Sequence, residues 1–299
     1  MMRAAAVGAV AAVGAYLVIR RMNRPAPTVC SALPGRAQIF LLKAVDRTDT
    51  PGGSKHAQPG MPAACYLTTH ATAVDEIPIS EIFADGTDFV LYSIEGVTSD
   101  APFLVFLSLP PAARSTLLLK EPFIDRGIRK LVQLGARVAV TSLASVEAVL
   151  VGSDAPDALQ PAFGLGFVWN TGRCGSTLLH KATSALGVVS LSEPHWLDQL
   201  HFHHGKRAHE PSMRRALRVG VLADVRIART QTQIPGWSTA TTFIFNPKAG
   251  GTAHLAPAVA AIFPHAKHLF MYRACHSVRV LHACSPCSHT IALSPLSLA

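Results

Sequence analysis

Residues 167–179 read Phe167-Val168-Trp169-Asn170-Thr171-Gly172-Arg173-Cys174-Gly175-Ser176-Thr177-Leu178-Leu179, and no other stretch constrains the chain as much. An apolar run, a polar turn with two glycines and a hydroxyl pair opening a second apolar run predict a strand, a tight turn and a helix. The turn's backbone N–H groups and the positive end of the helix would then converge on one point, a physical recipe for holding phosphate or sulfate. Gly172, Gly175, Ser176 and Thr177 are the candidate cradle, and Arg173 is the cation inside it. A nucleotide-hydrolase loop would need Gly-Lys-Ser/Thr at the helix start. Ser176 stands where that lysine would be, so a P-loop kinase or hydrolase is the less favoured reading.

Around this turn the chain alternates apolar runs of strand length with stretches of helical spacing. After the predicted helix 176–186, Gly187 is a stop signal and 188–191 reads as a strand. Residues 210–230 then read as a helix, 242–245 as a strand, 253–262 as a helix, and the run ending at Tyr272-Arg273 as a last strand. Upstream, 89–92, 102–109, 115–119 and 136–143 read as strands, 123–134 and 144–151 as helices. This pattern predicts an α/β fold, a parallel sheet with flanking helices. The core is placed at 161–281, with a small α/β leading region at 76–160 and an irregular tail at 282–299. Residues 23–75, rich in Pro, Gly, Ser and Thr, read as a flexible stem.

Residues 1–22 read as an N-terminal hydrophobic anchor or targeting segment. Residues 4–19 are uncharged and are followed by Arg20-Arg21-Met22-Asn23-Arg24. Sixteen helical residues span about 24 Å, slightly short of a hydrocarbon core. A short membrane anchor is the leading expectation, with a targeting peptide or a buried helix as the alternatives. Basic residues after the run favour a cytosolic C-terminal side.

Charged residues make up only 15% of the chain and AVILMFWYC 49%, which excludes a disordered polyelectrolyte and leaves enough apolar surface for a core. The net charge of +9 favours anionic partners. No interleaving of aromatic and basic residues accompanies it, so nucleic acid is not the expected partner. Cys30, Cys65, Cys174, Cys275, Cys284 and Cys287 include a single CxxC spacing, and the histidines at 195, 201, 203, 204 and 209 lack an HExxH pattern. No metal site is expected from either set. The basic residues Arg214, Arg215, Arg218, Arg226 and Arg229 read as the solvated face of a helix whose apolar stripe is Met213, Leu217, Val221 and Val225.

Ser192-Glu193-Pro194 follows the second strand, which puts a carboxylate where open parallel sheets bind ligands. The alternative is that Glu193 only favours the start of the next helix. Asn246-Pro247-Lys248 follows the next strand, and Phe263-Pro264-His265-Ala266-Lys267 leads into Leu269-Phe270-Met271-Tyr272-Arg273.

Taken together, these segments resemble the sulfotransferase family, in particular its carbohydrate and tyrosyl-protein members. The resemblance covers about residues 165–281. It implies a P-loop-type sulfotransferase fold and 3′-phosphoadenosine 5′-phosphosulfate as co-substrate, with no metal. It implies that Gly172, Arg173, Gly175, Ser176 and Thr177 hold the 5′-phosphosulfate end and that Arg273 binds the 3′-phosphate. Glu193 is implied as the base that deprotonates an acceptor hydroxyl, with Arg173 and Lys248 stabilising charge on the transferring group. The acceptor would be a glycan, a tyrosyl protein or a small molecule, and a Golgi or other internal membrane would be the location. The chain departs from the family pattern after Arg273. Leu281 stands where the pattern has a serine, Ser277 is the candidate substitute one turn earlier, and the closing helices of the family have no counterpart in 282–299. The expectation is a truncated or divergent C-terminus, with a non-catalytic phosphosulfate- or nucleotide-binding module as the alternative to an active enzyme.

Overall fold

A computed structural model of the chain describes residues 34–43, 68–69, 73–109, 137–151, 163–171, 174–204, 208, 210–247 and 252–272. The expected N-terminal segment 4–19, strand 115–119, helix 123–134 and tail 282–299 lie outside the described residues.

The first half forms an antiparallel sheet. Its strands are β1 (Arg36–Lys43), β2 (Thr68–Thr69), β3 (Asp75–Pro78), β4 (Phe89–Glu95), β5 (Phe103–Ser108) and β6 (Arg137–Ser142), in the order β2-β1-β6-β5-β4 with β3 also paired to β1. Helices α1 (Ile79–Ile82) and α2 (Leu143–Val151) accompany it. The expected strands at 89–92, 102–109 and 136–143 and the helix at 144–151 are present within a few residues. The stem reading of 23–75 needs correction, because β1 lies inside it. Ala37, Ile39 and Phe40 are buried, and Ile39 pairs with Ala139. Eight strand residues between Pro/Gly-rich flanks are diluted in any composition window, and their partner β6 lies about a hundred residues downstream, where no local pattern reaches.

The second half forms a four-stranded parallel sheet. Its strands are β7 (Gly164–Asn170), β8 (Val189–Ser192), β9 (Thr242–Asn246) and β10 (Lys267–Met271), in the order β10-β7-β9-β8. Helix α3 (Ser176–Ala185) joins β7 to β8. Helices α4 (His195–His204) and α5 (Pro211–Arg229) join β8 to β9, and a 3-10 turn (Thr252–Leu255) with α6 (Ala256–Ile262) joins β9 to β10. The chain is therefore α/β with one antiparallel and one parallel sheet.

Strand alternation separates the two faces of the parallel sheet. Toward α4–α6, Phe245, Phe167, Trp169 and His268 form a ladder across three strands. Phe167 stacks on Phe245 at 5.3 Å and on Trp169 at 5.6 Å, and the Trp169 ring donates its Nε1 proton to His268 Nδ1 at 3.0 Å. Burial holds the His268 imidazole below its usual pKa. That agrees with an Nδ1 committed as acceptor, since a protonated ring would present a second donor to the indole.

Helix α5 packs on β4 and against α2, α4 and α6, and these neighbours explain its burial. The expected stripe Met213, Leu217, Val221 and Val225 is buried, but so are Ala216, Val219, Ala223, Ile227 and Ala228. Arg214, Arg215 and Arg226 remain exposed as read from sequence. Arg229 instead lays its guanidinium over Phe163 and Phe243, at 5.1 and 5.5 Å from the ring centroids. Gly220 provides the closest approach, since a Cβ there would stand 2.7 Å from the Trp196 ring. Trp196 in turn donates Nε1 to Asp224 Oδ2 at 2.7 Å. At its C-terminal end α5 is tied to the antiparallel half by Gly86 N–H to the Thr230 carbonyl, 2.7 Å, and by Gln231 Nε2 to the Thr87 carbonyl, 3.3 Å.

Candidate anion site at the carboxyl ends of the parallel strands

The order β10-β7-β9-β8 contains a reversal of direction. From β7 the chain crosses β9 to reach β8, and from β9 it crosses β7 to reach β10. Helix α3 packs on β8 through its own face, where His180 Nδ1 meets Ser190 Oγ at 2.8 Å, while α4, α5 and α6 pack together. The carboxyl ends of β7 and β9 thus flank a topological switch point, the place where open α/β sheets bind ligands. The strand, turn and helix read from 167–179 sit there.

Gly175 is the residue before α3 and adopts φ 95°, ψ 12°. That left-handed conformation suits glycine, and an added Cβ would meet no atom within 4 Å, so the space beside the turn is open. No side chain caps α3. Its first N–H groups therefore have no acceptor from the helix itself or from a cap, which is what an anion at this end requires. Ser176 and Thr177 are half-buried at the helix start, and the neighbouring Cys174 is a free, half-buried thiol.

Two buried asparagines knit the strand ends together, and neither was singled out from sequence. Asn170 ends β7 and donates Nδ2 to Asn246 Oδ1 at 3.2 Å and to the Pro247 carbonyl at 2.9 Å. Asn246 ends β9 and donates Nδ2 to the Ser176 carbonyl at 3.4 Å, while its own carbonyl accepts the Glu193 N–H at 2.8 Å. Because the Pro247 and Ser176 carbonyls only accept, both amide orientations are forced. Thr171 N–H adds a bond to the Met271 carbonyl at 3.2 Å, bringing in the end of β10. The only sequence signal was an asparagine at the last position of two neighbouring strands, which becomes informative once the strands are known to be adjacent.

Glu193 follows β8 directly and is half-buried. Its φ of 51° is the one positive value at a non-glycine residue among the described residues. A side chain held in the left-handed region at a strand end is a strained arrangement of the kind found at ligand sites. Among the other candidate site residues, Gly172, Arg173, Lys248, Arg273 and Ser277 lie outside the described residues. The strands that lead to them are all in one sheet, and Asn246 and Met271, which end β9 and β10, stand two residues before Lys248 and Arg273.

Behind Glu193, His195 stacks on Tyr92 at 4.5 Å. The register of β4 against β5 shifts between Leu91 and Ser93, and this bulge aims Tyr92 at α4. A cavity of about 30 Å³ beside this pair is lined by Leu91, Leu191, His195, Asp224, Gln231 and Trp237, with room for one or two waters and no more. Burial pushes the Asp224 carboxyl up to about 7, opposed by its hydrogen bond from Trp196. His201 stacks on His254 at 6.0 Å, and burial, then the neighbouring His254, lowers its pKa. Among the described residues no group of His, Cys, Asp and Glu is arranged to hold a metal ion. No described helix is long and apolar enough to cross a membrane.

No protein-family model, curated protein or solved structure matches the chain.

Proposed function

We propose that the chain is a sulfotransferase-like protein that binds 3′-phosphoadenosine 5′-phosphosulfate at the turn before α3 and transfers its sulfuryl group to a hydroxyl acceptor. One observation carries this reading. The uncapped start of α3 and the strained Glu193 are tied to a single residue, Asn246, at the switch point of a parallel sheet. The open space beside Gly175 and the half-buried Ser176 and Thr177 fit the phosphosulfate end of the co-substrate.

In this reading the backbone N–H groups at 175–177 and Arg173 hold the phosphosulfate, and Lys248 adds a second cation. Glu193 accepts the proton of the acceptor hydroxyl as its oxygen bonds to sulfur. The sulfur–oxygen bond to the 5′-phosphate breaks, and adenosine 3′,5′-bisphosphate leaves with the electron pair. Arg273, supported by Ser277, recognises the 3′-phosphate by charge-assisted hydrogen bonds. The apolar run 4–19 supports attachment to an internal membrane such as the Golgi.

Calorimetric titration of the folded protein with adenosine 3′,5′-bisphosphate tests the binding half. Saturable binding that weakens at least tenfold in Arg173→Ala is the expected result, and no binding overturns the reading. Transfer of labelled sulfate to a panel of glycan, tyrosyl-peptide and small hydroxyl acceptors tests the chemistry. Binding with no transfer to any of them would make the protein a binding module of the same fold.

A further inference from the structure

We infer that Asn246 is a positioning residue that sets the anion-binding turn and Glu193 at a common distance, an inference that rests on the function proposed above. Asn246 is 3% exposed and is the last residue of β9, between β7 and β8 in the sheet. Its side chain reaches to one side and its main chain to the other. Nδ2 meets the Ser176 carbonyl, Oδ1 receives Asn170, and the carbonyl receives Glu193 N–H. The first residue of α3 and the candidate base are therefore both measured from one residue.

That arrangement has a chemical consequence. Proton abstraction and sulfuryl transfer occur together only if base and anion site hold their separation, and small misplacements of reacting groups cost large factors in rate. Neither Asn246 nor Asn170 needs to touch the co-substrate to exert this control. The strain at Glu193 belongs to the same device, since its N–H is held by Asn246 while its φ is 51°.

Asn246→Ala removes the link to the Ser176 carbonyl and leaves Asn170 its bond to Pro247. At saturating co-substrate, kcat is expected to fall at least tenfold with acceptor KM within twofold of wild type. A merely structural role would instead lower the folded fraction and leave kcat per folded molecule unchanged, and that result overturns the inference. Asn246→Asp is the second variant, read by binding of adenosine 3′,5′-bisphosphate. An ionised carboxylate still accepts from Asn170 but opposes the Ser176 carbonyl, whereas a protonated one donates to it. Because burial at this 3%-exposed position raises the introduced carboxyl above the ordinary carboxylate range, affinity relative to wild type is expected to fall at least tenfold at pH 8 and to recover at pH 5. A wild-type-like ratio at both pH values overturns the inference while leaving the proposed function standing. Failure of the wild-type protein itself to bind the bisphosphate removes both.

Discussion

The two faces of the parallel sheet are built from different chemistry. Toward α4–α6 the strands present Phe167, Trp169, Phe243 and Phe245, all essentially buried. Toward α3 the same strands present Gly164, Gly166, Val168, Asn170, Ser190, Ser192, Thr242, Ile244 and Asn246, and α3 itself leaves Leu178 exposed. One face is packed to hold the fold. The other mixes glycines and polar side chains with Val168 and Ile244, and hydrogen bonds from its two asparagines control the strand ends. The candidate anion site, with the uncapped start of α3 and the strained Glu193, lies at the strand ends, away from the buried aromatic rings that hold the fold.

The largest effect expected is on the aromatic face. Trp169→Ala removes a fully buried ring and the donor to His268, and should cost about 3–5 kcal/mol in urea unfolding. An equally small loss there and on the α3 face would break the comparison. Overpacking is the converse test. Gly220→Ala places a methyl 2.7 Å from the Trp196 ring, which has no free end to move aside, and should cost about 1–3 kcal/mol.

Asp224 sharpens the comparison through pH. Its carboxyl is held at about 7 in the folded protein against 3.8 as the ordinary value, so the folded state binds the extra proton between them. Its contribution is fully present below the ordinary value and is lost as pH rises through 7. Asp224→Asn keeps an acceptor for Trp196 and removes the titration. The melting temperature of wild type relative to the variant should therefore fall between pH 5 and pH 8. The histidines act in the opposite direction. Burial lowers His180, His201 and His268, so their contribution is lost as pH drops below the ordinary value of 6.5. Comparing the two proteins at each pH isolates Asp224.

On the α3 side the signs change. Glu193→Gly relieves a left-handed backbone and should raise stability by about 1 kcal/mol, and under the proposed function it should abolish transfer. A loss of stability instead would show that the strain is compensated locally. Smallest is Gly166→Ala, whose methyl would stand at an ordinary 3.5 Å from Ile244 and should stay within about 0.5 kcal/mol of wild type by thermal unfolding.

Much of the second half was legible in sequence because its signals are local. The strand, turn and helix at 167–179, the Gly187 stop, and the strands at 188–191 and 242–245 are each read within a dozen residues. Helix 253–262 was legible only in part, because its first turn is a 3-10 turn ahead of Ala256–Ile262 with Pro257 near its start. The leading region was less legible. β1 was lost in a Pro/Gly-rich stretch, and the stripe on α5 showed one buried side of a helix that β4 covers on one side and α2, α4 and α6 cover elsewhere.

By itself the sequence determined that residues 167–179 turn from strand to helix at a glycine and that a carboxylate follows the next strand, because both depend on the chain's own conformational preferences. Only the tertiary structure decided that Asn170 and Asn246, which are 76 residues apart, are bonded to each other, and that the start of α3 and Glu193 meet through Asn246. The physical reason is strand order. Which ends become neighbours depends on how β7–β10 are arranged in the sheet, and that arrangement is set by packing of the whole core.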